Sequence, residues 1–378
     1  MNMKNLHIYP SPITHENRIE RETAAIASHL GIKNIIYGTY ESGLDRNQTI
    51  SENVLIKRLT LRPKNIGLIK KIFFILKFYY DCLKEARLDN INVVNVHSLS
   101  LLPLGVLLKK ILKVKLVYDT HELETETHQL SGIRKTLSKK LELFCIKYCD
   151  AAIFVNSSIQ DWYLNEYKDK CPVSCIVENS PTYRDIEKHD KFREKFNINN
   201  NTKIFLYQGA LSNGRGIESI LSAFENPEDD ICLVIMGFGY LEDLCRKAAD
   251  RNRSIFFHDA VLPKKLFKYT CSADYGINLI EPICLSYELC LPNKFFEYLM
   301  AGLPVLSSNL IEPKKIINKH KVGVIVEDLK IESINRSIKD LLVKDIDEFN
   351  ENVKSLIQER SWSMQKKVLI SFYEENII

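Results

Sequence analysis

The chain has 378 residues, 45% hydrophobic and 26% charged, with a formal net charge of +4 from 52 basic and 48 acidic side chains. That length exceeds one ordinary core, so two domains are expected, and the composition excludes a disordered chain. The near balance of charge argues against a nucleic-acid binder, and no stretch reaches the about 20 apolar residues of a membrane-spanning helix. The first strand-like run, Leu6-His7-Ile8-Tyr9, comes at once and leaves no room for a signal peptide. Further short apolar runs follow at 34–37, 54–57, 91–96, 115–119, 151–155 and 174–177, most of them separated by helix-length segments. A second series starts after the polar stretch 199–202, at 203–207, 231–236, 254–257, 274–278, 304–307 and 322–326. This alternation predicts an α/β protein with two doubly wound parallel sheets in tandem, linked near 178–191. Ligands of such sheets bind at the carboxyl ends of strands, and two facing sheets would share one cleft. The expected division is 1–178, 179–360 and a C-terminal helix, 361–378, packing back on the first domain. The ten cysteines lack zinc-site spacing and are expected to be reduced, mostly buried thiols of a cytoplasmic protein.

Three segments carry candidate chemistry. The first in chain order is Val117-Tyr118-Asp119-Thr120-His121-Glu122, at the end of a strand, with His97 at the end of the neighbouring strand. A lone histidine after a strand is more often a polar loop residue than a catalyst. The second is Tyr207-Gln208-Gly209-Ala210-Leu211-Ser212-Asn213-Gly214-Arg215-Gly216-Ile217, a strand running through a glycine-rich turn into a helix. Glycines admit a close backbone approach, and Arg215 can grip a diphosphate bidentately, although tight turns alone also explain such glycines. The third is Leu291-Pro292-Asn293-Lys294-Phe295-Phe296-Glu297-Tyr298 with Gly302-Leu303-Pro304-Val305. Here Asn293 can cap a helix, and Glu297, one turn in, can accept hydrogen bonds from a ribose diol. An ordinary capped helix with a solvated Glu297 is the bland alternative.

The third segment resembles the Pro-Asn-Lys-x-x-Glu-Tyr-x-x-x-Gly-x-Pro-Val signature of the retaining family 4 GT-B glycosyltransferases. The resemblance extends over nearly the whole chain and is strongest over 207–306. It implies the GT-B fold, with two Rossmann-like domains facing a central cleft. It assigns the ribose to Glu297, the diphosphate to Arg215 and Lys294, and the transferred sugar to His121. It places Gly209, Gly237 and Asn293 on the donor and Val261, in His258-Asp259-Ala260-Val261, at the base. His97, Glu122 and Arg18 are candidates for the cleft or the acceptor side. Arg18 or the backbone near Thr14 would stand in for the glycine-rich loop that relatives hold against the donor phosphate. The family's first glutamate, with seven residues between it and the second, is replaced: the spacing falls on Leu289, with Glu288 and Glu281 out of register.

The resemblance implies transfer of a sugar from a nucleoside diphosphate, with uridine as the expected base, to a glycan or lipid-linked acceptor. It further implies retention of configuration, a role in surface polysaccharide synthesis and no cofactor or metal. A nucleotide-sugar 2-epimerase of the same architecture and an inactive nucleotide-sugar-binding module are the alternatives. Asp345-Ile346-Asp347 copies a metal-binding Asp-x-Asp, but it lies in a charged helical segment away from any strand end. Cations beside bulky apolar residues at 62–74, and again at 134–140, suit a peripheral contact with an anionic membrane face; solvated helix faces explain them equally well.

Overall fold

The computed structural model describes residues 3–63, 67–227 and 230–378. The chain divides into two compact units, Met1–Glu178 with Gln365–Ile378, and Asn179–Met364.

In the first unit eight strands form one sheet: β1 (Lys4–Ile8), β2 (Lys33–Tyr40), β3 (Asn47–Ser51), β4 (Val54–Leu61), β5 (Val93–Val96), β6 (Lys115–Asp119), β7 (Ala151–Phe154) and β8 (Val173–Ile176). Their order is β3-β4-β2-β1-β5-β6-β7-β8. All pairs are parallel except the edge strand β3, which runs antiparallel to β4. The inner strands β5 and β7 are buried along their whole length, and β7 reads as a continuous apolar run, while β1 and β5 carry the buried polar residues Asn5, His7 and Asn95. The order reverses direction at β1 and β5, and the turns after β1, β5 and β6 lead to Tyr9, His97 and His121.

The second unit has six parallel strands: β9 (Lys203–Ala210), β10 (Ile231–Phe238), β11 (Ile255–Asp259), β12 (Tyr275–Asn278), β13 (Val305–Ser308) and β14 (Gly323–Val326). Their order is β11-β10-β9-β12-β13-β14, so the reversal falls between β9 and β12. Two apolar clusters cover its two faces, one built on Phe295, Phe296 and Leu299, the other on Phe205, Tyr207 and Ile277. The carboxyl ends of β9 and β12 hold the glycine-rich turn and the segment leading to Glu297.

Two sequence expectations change at helix starts. Helix Asn293–Met300 is flanked by Pro292 at the capping position, and no side chain caps it. Asn293 is therefore its first turn, not its cap. Asp345, of the Asp-x-Asp, caps helix Ile346–Arg360 by accepting from the amides of Asp347 and Glu348. All ten cysteines are free and none is exposed. Among the described residues no helix is long and apolar enough to cross a membrane.

Candidate functional site

In the second unit, β9 delivers Tyr207, Gln208 and Gly209 to the site. Gly209 holds φ at +123°, a conformation closed to other residues. A Cβ on Gly237, at the end of β10, would lie 2.0 Å from the carbonyl oxygen of Gly209. Close approach of the strand ends requires Gly237 and the positive φ requires Gly209, so the local fold alone accounts for both.

Arg215 and Lys294 converge here. The Arg215 guanidinium carbon lies 4.8 Å from the Tyr287 ring centroid, and the Lys294 amine 3.9 Å from that of Tyr207. Ring faces attract cations without cancelling their charge. Arg215 Nε is buried and makes no hydrogen bond among the described residues. Burial, then the repulsion of Arg215, pushes the Lys294 amine down to about 7. Two neighbouring cations with their charge unspent make a site for a polyanion.

Beside them, Glu297 Oε2 accepts a hydrogen bond from Gln208 Nε2 at 2.6 Å. Gln208 is itself fixed, its Oε1 accepting from Thr270 Oγ1 at 2.8 Å and its amide donating to the Tyr298 hydroxyl at 2.8 Å. Glu281 Oε1 accepts from the Gly216 amide at 3.2 Å, and the Glu281 amide donates to the Gly214 carbonyl. Glu281 thus clamps the glycine-rich turn. Leu289 is buried, and Glu288 closes the short helix Leu285–Glu288 half-buried. Val261 is half-buried against the core, while His258 packs edge-on to Tyr269 and Phe192.

The first unit gathers histidines instead. Asp119 ends β6, and Arg18, from helix Asn17–Leu30, closes on it with Nη2 2.7 Å from Oδ1. Arg18 Nη1 donates to the Val177 carbonyl at 2.7 Å, and Nε lies 3.1 Å from Glu22. The residue is buried, so the expected contact of Arg18 with a donor phosphate gives way to an internal ion pair. Burial favours the neutral acid, yet Arg18 and His97 hold the Asp119 carboxyl well below its usual range. In the segment that replaces the glycine-rich loop, Ile13 is buried at φ +52°, a strained conformation for a β-branched residue. Arg58 pins it through the carbonyls of Pro12 and Ile13; Thr14, next in the chain, is exposed.

His97 is buried at the end of β5, its Nδ1 2.9 Å from Asp119 Oδ2 and 3.1 Å from His121 Nε2. Its Nε2 lies 2.9 Å from His7 Nδ1. The Tyr9 ring stacks on His121 at 5.5 Å. Burial pushes the His121 imidazole down to about 3, against the pull of Asp119. Glu122 is exposed, and burial with its repulsion pushes the Glu124 carboxyl up to about 8. The ligand atoms of His97, Asp119 and His121 lie within 4.8 Å of one another, a metal-compatible spacing. Arg18 already neutralises that carboxylate, and His97 Nδ1 facing it must carry a proton, so the trio fits a cation poorly.

The sequence names Arg215, Lys294, Glu297, His97 and His121 as candidates; Tyr207, Gln208 and Asp119 stand in its candidate segments without a role, and Tyr287 and His7 are not singled out. Gln208 follows the apolar run Ile204–Tyr207 and His7 stands between Leu6 and Ile8, which is the available signal.

Residues 188–360 match the model of the glycosyl transferases group 1 family. The matched stretch, somewhat under half of the chain, is similar to group 1 glycosyl transferases. It contains β9 to β14 and with them Arg215, Lys294 and Glu297. An uncharacterized glycosyltransferase of Methanocaldococcus jannaschii is 26% identical, the match covering 76% of each chain. Among solved structures, sucrose-phosphate synthase from Thermosynechococcus elongatus superposes with a TM-score of 0.83 at 15% identity, covering 99% of this chain and 98% of its own. HepE of Anabaena, solved with UDP and glucose, gives 0.73 at 12% identity over 99% and 100% of the two chains. The fold is the two-domain, Rossmann-like GT-B type.

Proposed function

We propose that the chain is a retaining, metal-independent glycosyltransferase of family 4. It moves a sugar from UDP to a glycan or lipid-linked glycan in surface polysaccharide synthesis. The observation that carries this reading is the pair Arg215 and Lys294, held over tyrosine rings with their charge unspent, beside a Glu297 oriented by Gln208. A diphosphate leaving group gains negative charge as the glycosidic bond breaks, and fixed cations in a partly dry site stabilise it. Glu297 takes the ribose hydroxyls and His121 contacts the transferred sugar. Two carboxylates beside these groups are committed elsewhere, the buried Asp119 to Arg18 and the half-buried Glu281 to the Gly216 amide. Neither serves as a nucleophile, so retention proceeds on the front face, the leaving phosphate taking the acceptor proton.

UDP should raise the melting temperature of the protein, and Glu297→Ala should weaken UDP binding by about 1.5–3 kcal/mol, measured by calorimetry. Wild-type affinity in that variant refutes the ribose assignment. Activity should survive EDTA; loss that manganese restores would overturn metal independence. Release of UDP only when acceptor is added distinguishes transfer from 2-epimerisation, and lack of any turnover points to a binding module.

The first unit also suits a peripheral contact with the anionic inner face of the cell membrane. Ile69, Phe73, Leu76 and Tyr80 are exposed at helical spacing on Leu68–Asp89, beside the exposed Lys70 and Lys71. On helix Gly132–Ile146, Ile133, Leu137 and Phe144 are exposed with Arg134 and Lys140. Part of the expected basic cluster is spent internally: Lys135 and Lys139 pair with Glu126, and Lys109 with Asp150. Lys64, one of the cations in the 62–74 cluster, lies outside the described residues. Binding to vesicles containing anionic lipid at low salt, lost in Lys70→Glu with Lys71→Glu, tests the contact; indifference to such vesicles would favour a soluble acceptor.

A further inference from the structure

The first unit carries a buried polar chain that crosses its sheet from β2 through β1 to the ends of β5 and β6, and its donors and acceptors can be assigned from both ends. At the β2 end, Asn34 Nδ2 donates to the Ile32 carbonyl at 2.9 Å. A backbone carbonyl only accepts, so Asn34 turns its Oδ1 to Asn5, whose Nδ2 lies 3.0 Å away. The Asn5 amide is fixed a second time on its other side. Asn95 Nδ2, held by the Leu6 carbonyl, donates to Asn5 Oδ1 at 2.6 Å. Asn5 Nδ2 therefore also faces His7 Nε2, at 2.9 Å, and that nitrogen must be bare. His7 then carries its proton on Nδ1 and gives it to His97 Nε2 at 2.9 Å. His97 in turn carries its proton on Nδ1.

The opposite end demands the same polarity. Asp119, ionised against Arg18, accepts at 2.9 Å from His97 Nδ1, which must be protonated. Two unrelated anchors, a backbone carbonyl and an ion pair, agree on one direction of donation. His121 Nε2 lies 3.1 Å from that same protonated Nδ1 and 3.8 Å from Asp119, too far to donate to the carboxylate. Its Nε2 is bare. Glu22, whose carboxyl oxygen comes within 4.8 Å of the nitrogens of His7 and His97, faces Arg18 at 3.1 Å, and burial pushes its carboxyl well above the usual range. Burial likewise holds His7 well below its ordinary value, so the chain carries no extra proton.

We propose that the chain Asn34, Asn5, His7 and His97 locks His121 as a neutral imidazole with its proton on Nδ1. His121 then meets a ligand oxygen as a hydrogen-bond donor and does not remove a proton from it. His7 and His97 are positioning residues, acting through the tautomer they impose. What His121 donates to rests on the sugar-transfer reading; the tautomer itself does not.

The test is a long-range 1H–15N spectrum of 15N-histidine-labelled, ligand-free protein at pH 7. His7, His97 and His121 should all be neutral and protonated on Nδ1. An Nε2–H or imidazolium signal from His121 overturns the proposal. His97→Gln should release His121 into a mixture of tautomers, whereas an unchanged His121 signal shows that His97 does not set it. Asn5→Asp puts a carboxylate where His7 expects a donor, and His7 should become an imidazolium at pH 7. Should either variant fail to fold, the wild-type spectrum decides alone. Because the spectrum needs no ligand, a chain without transferase activity leaves this result standing, and the wrong tautomer leaves the transferase reading intact.

Discussion

Arg18 in the first unit and Arg215 in the second both lie near the candidate chemistry, and they are held in opposite ways. Arg18 is closed in by Asp119, Glu22 and the Val177 carbonyl. Arg215 rests on an aromatic ring, with a buried Nε that makes no hydrogen bond among the described residues. Arg18 is neutralised inside its own unit, whereas Arg215 makes no ion pair among the described residues. A cation near a strand end is therefore read by its counter-ion rather than by its place in a motif.

The sharpest way to break the contrast is to delete each arginine. Arg18→Ala strands a buried carboxylate and should cost about 3–5 kcal/mol of stability in denaturant unfolding. A loss below 1 kcal/mol would mean that the ion pair is not the anchor it looks like. Arg215→Ala removes no ion pair, so the fold should lose little. Its turnover should fall on the order of 10²–10³-fold, the range for one group that stabilises a developing charge. Unfolding by Arg215→Ala at undiminished turnover per folded molecule would reverse the roles of the two arginines.

Lys294 offers the smallest and most specific effect. Its amine titrates at about 7 in the free protein, pushed down first by burial and then by Arg215. A bound diphosphate favours the charged form and raises that value, so binding between pH 7 and 9 takes up a proton. UDP affinity should fall as pH rises above about 7, by at most about tenfold per unit. Calorimetry in two buffers of different ionisation enthalpy counts the proton, and zero uptake would show that Lys294 does not meet the diphosphate.

Much of this was legible in the residues, for reasons that can be stated. Strand β6 occupies 115–119 as its apolar centre Leu116-Val117-Tyr118 implies, because a strand covered on both faces is mostly apolar. Strand β3 is invisible in the sequence, since all five residues of Asn47–Ser51 are exposed and no apolar alternation marks them. The charge of Arg18 is legible but its partner is not, because Asp119 stands 101 residues away. Asn293 misleads by one position: Pro292 holds φ at −68° with extended ψ and takes the flanking place itself. The histidine chain leaves a trace that reading for motifs passes over. Asn5, His7, Asn34 and Asn95 are polar and buried in strands whose neighbours are apolar, and a buried polar group implies a partner on the next strand.

The last helix, Trp362–Asn376, has a consequence for how the protein is made. Its residues from Gln365 on belong to the first unit, where Gln365 accepts from the Glu178 amide and Tyr373 donates to Asn95 at 2.7 Å. Synthesis runs from the amino end, so the segment 179–364 can fold as soon as it leaves the ribosome, while the unit begun earlier waits for its final piece. Until residues 365–378 arrive, Asn95 lacks the hydroxyl that completes its bonding and the groove for Leu369 and Phe372 lies bare. The half of the molecule translated first is thus the half completed last, and a nascent chain halted before Gln365 should expose that apolar surface to chaperones.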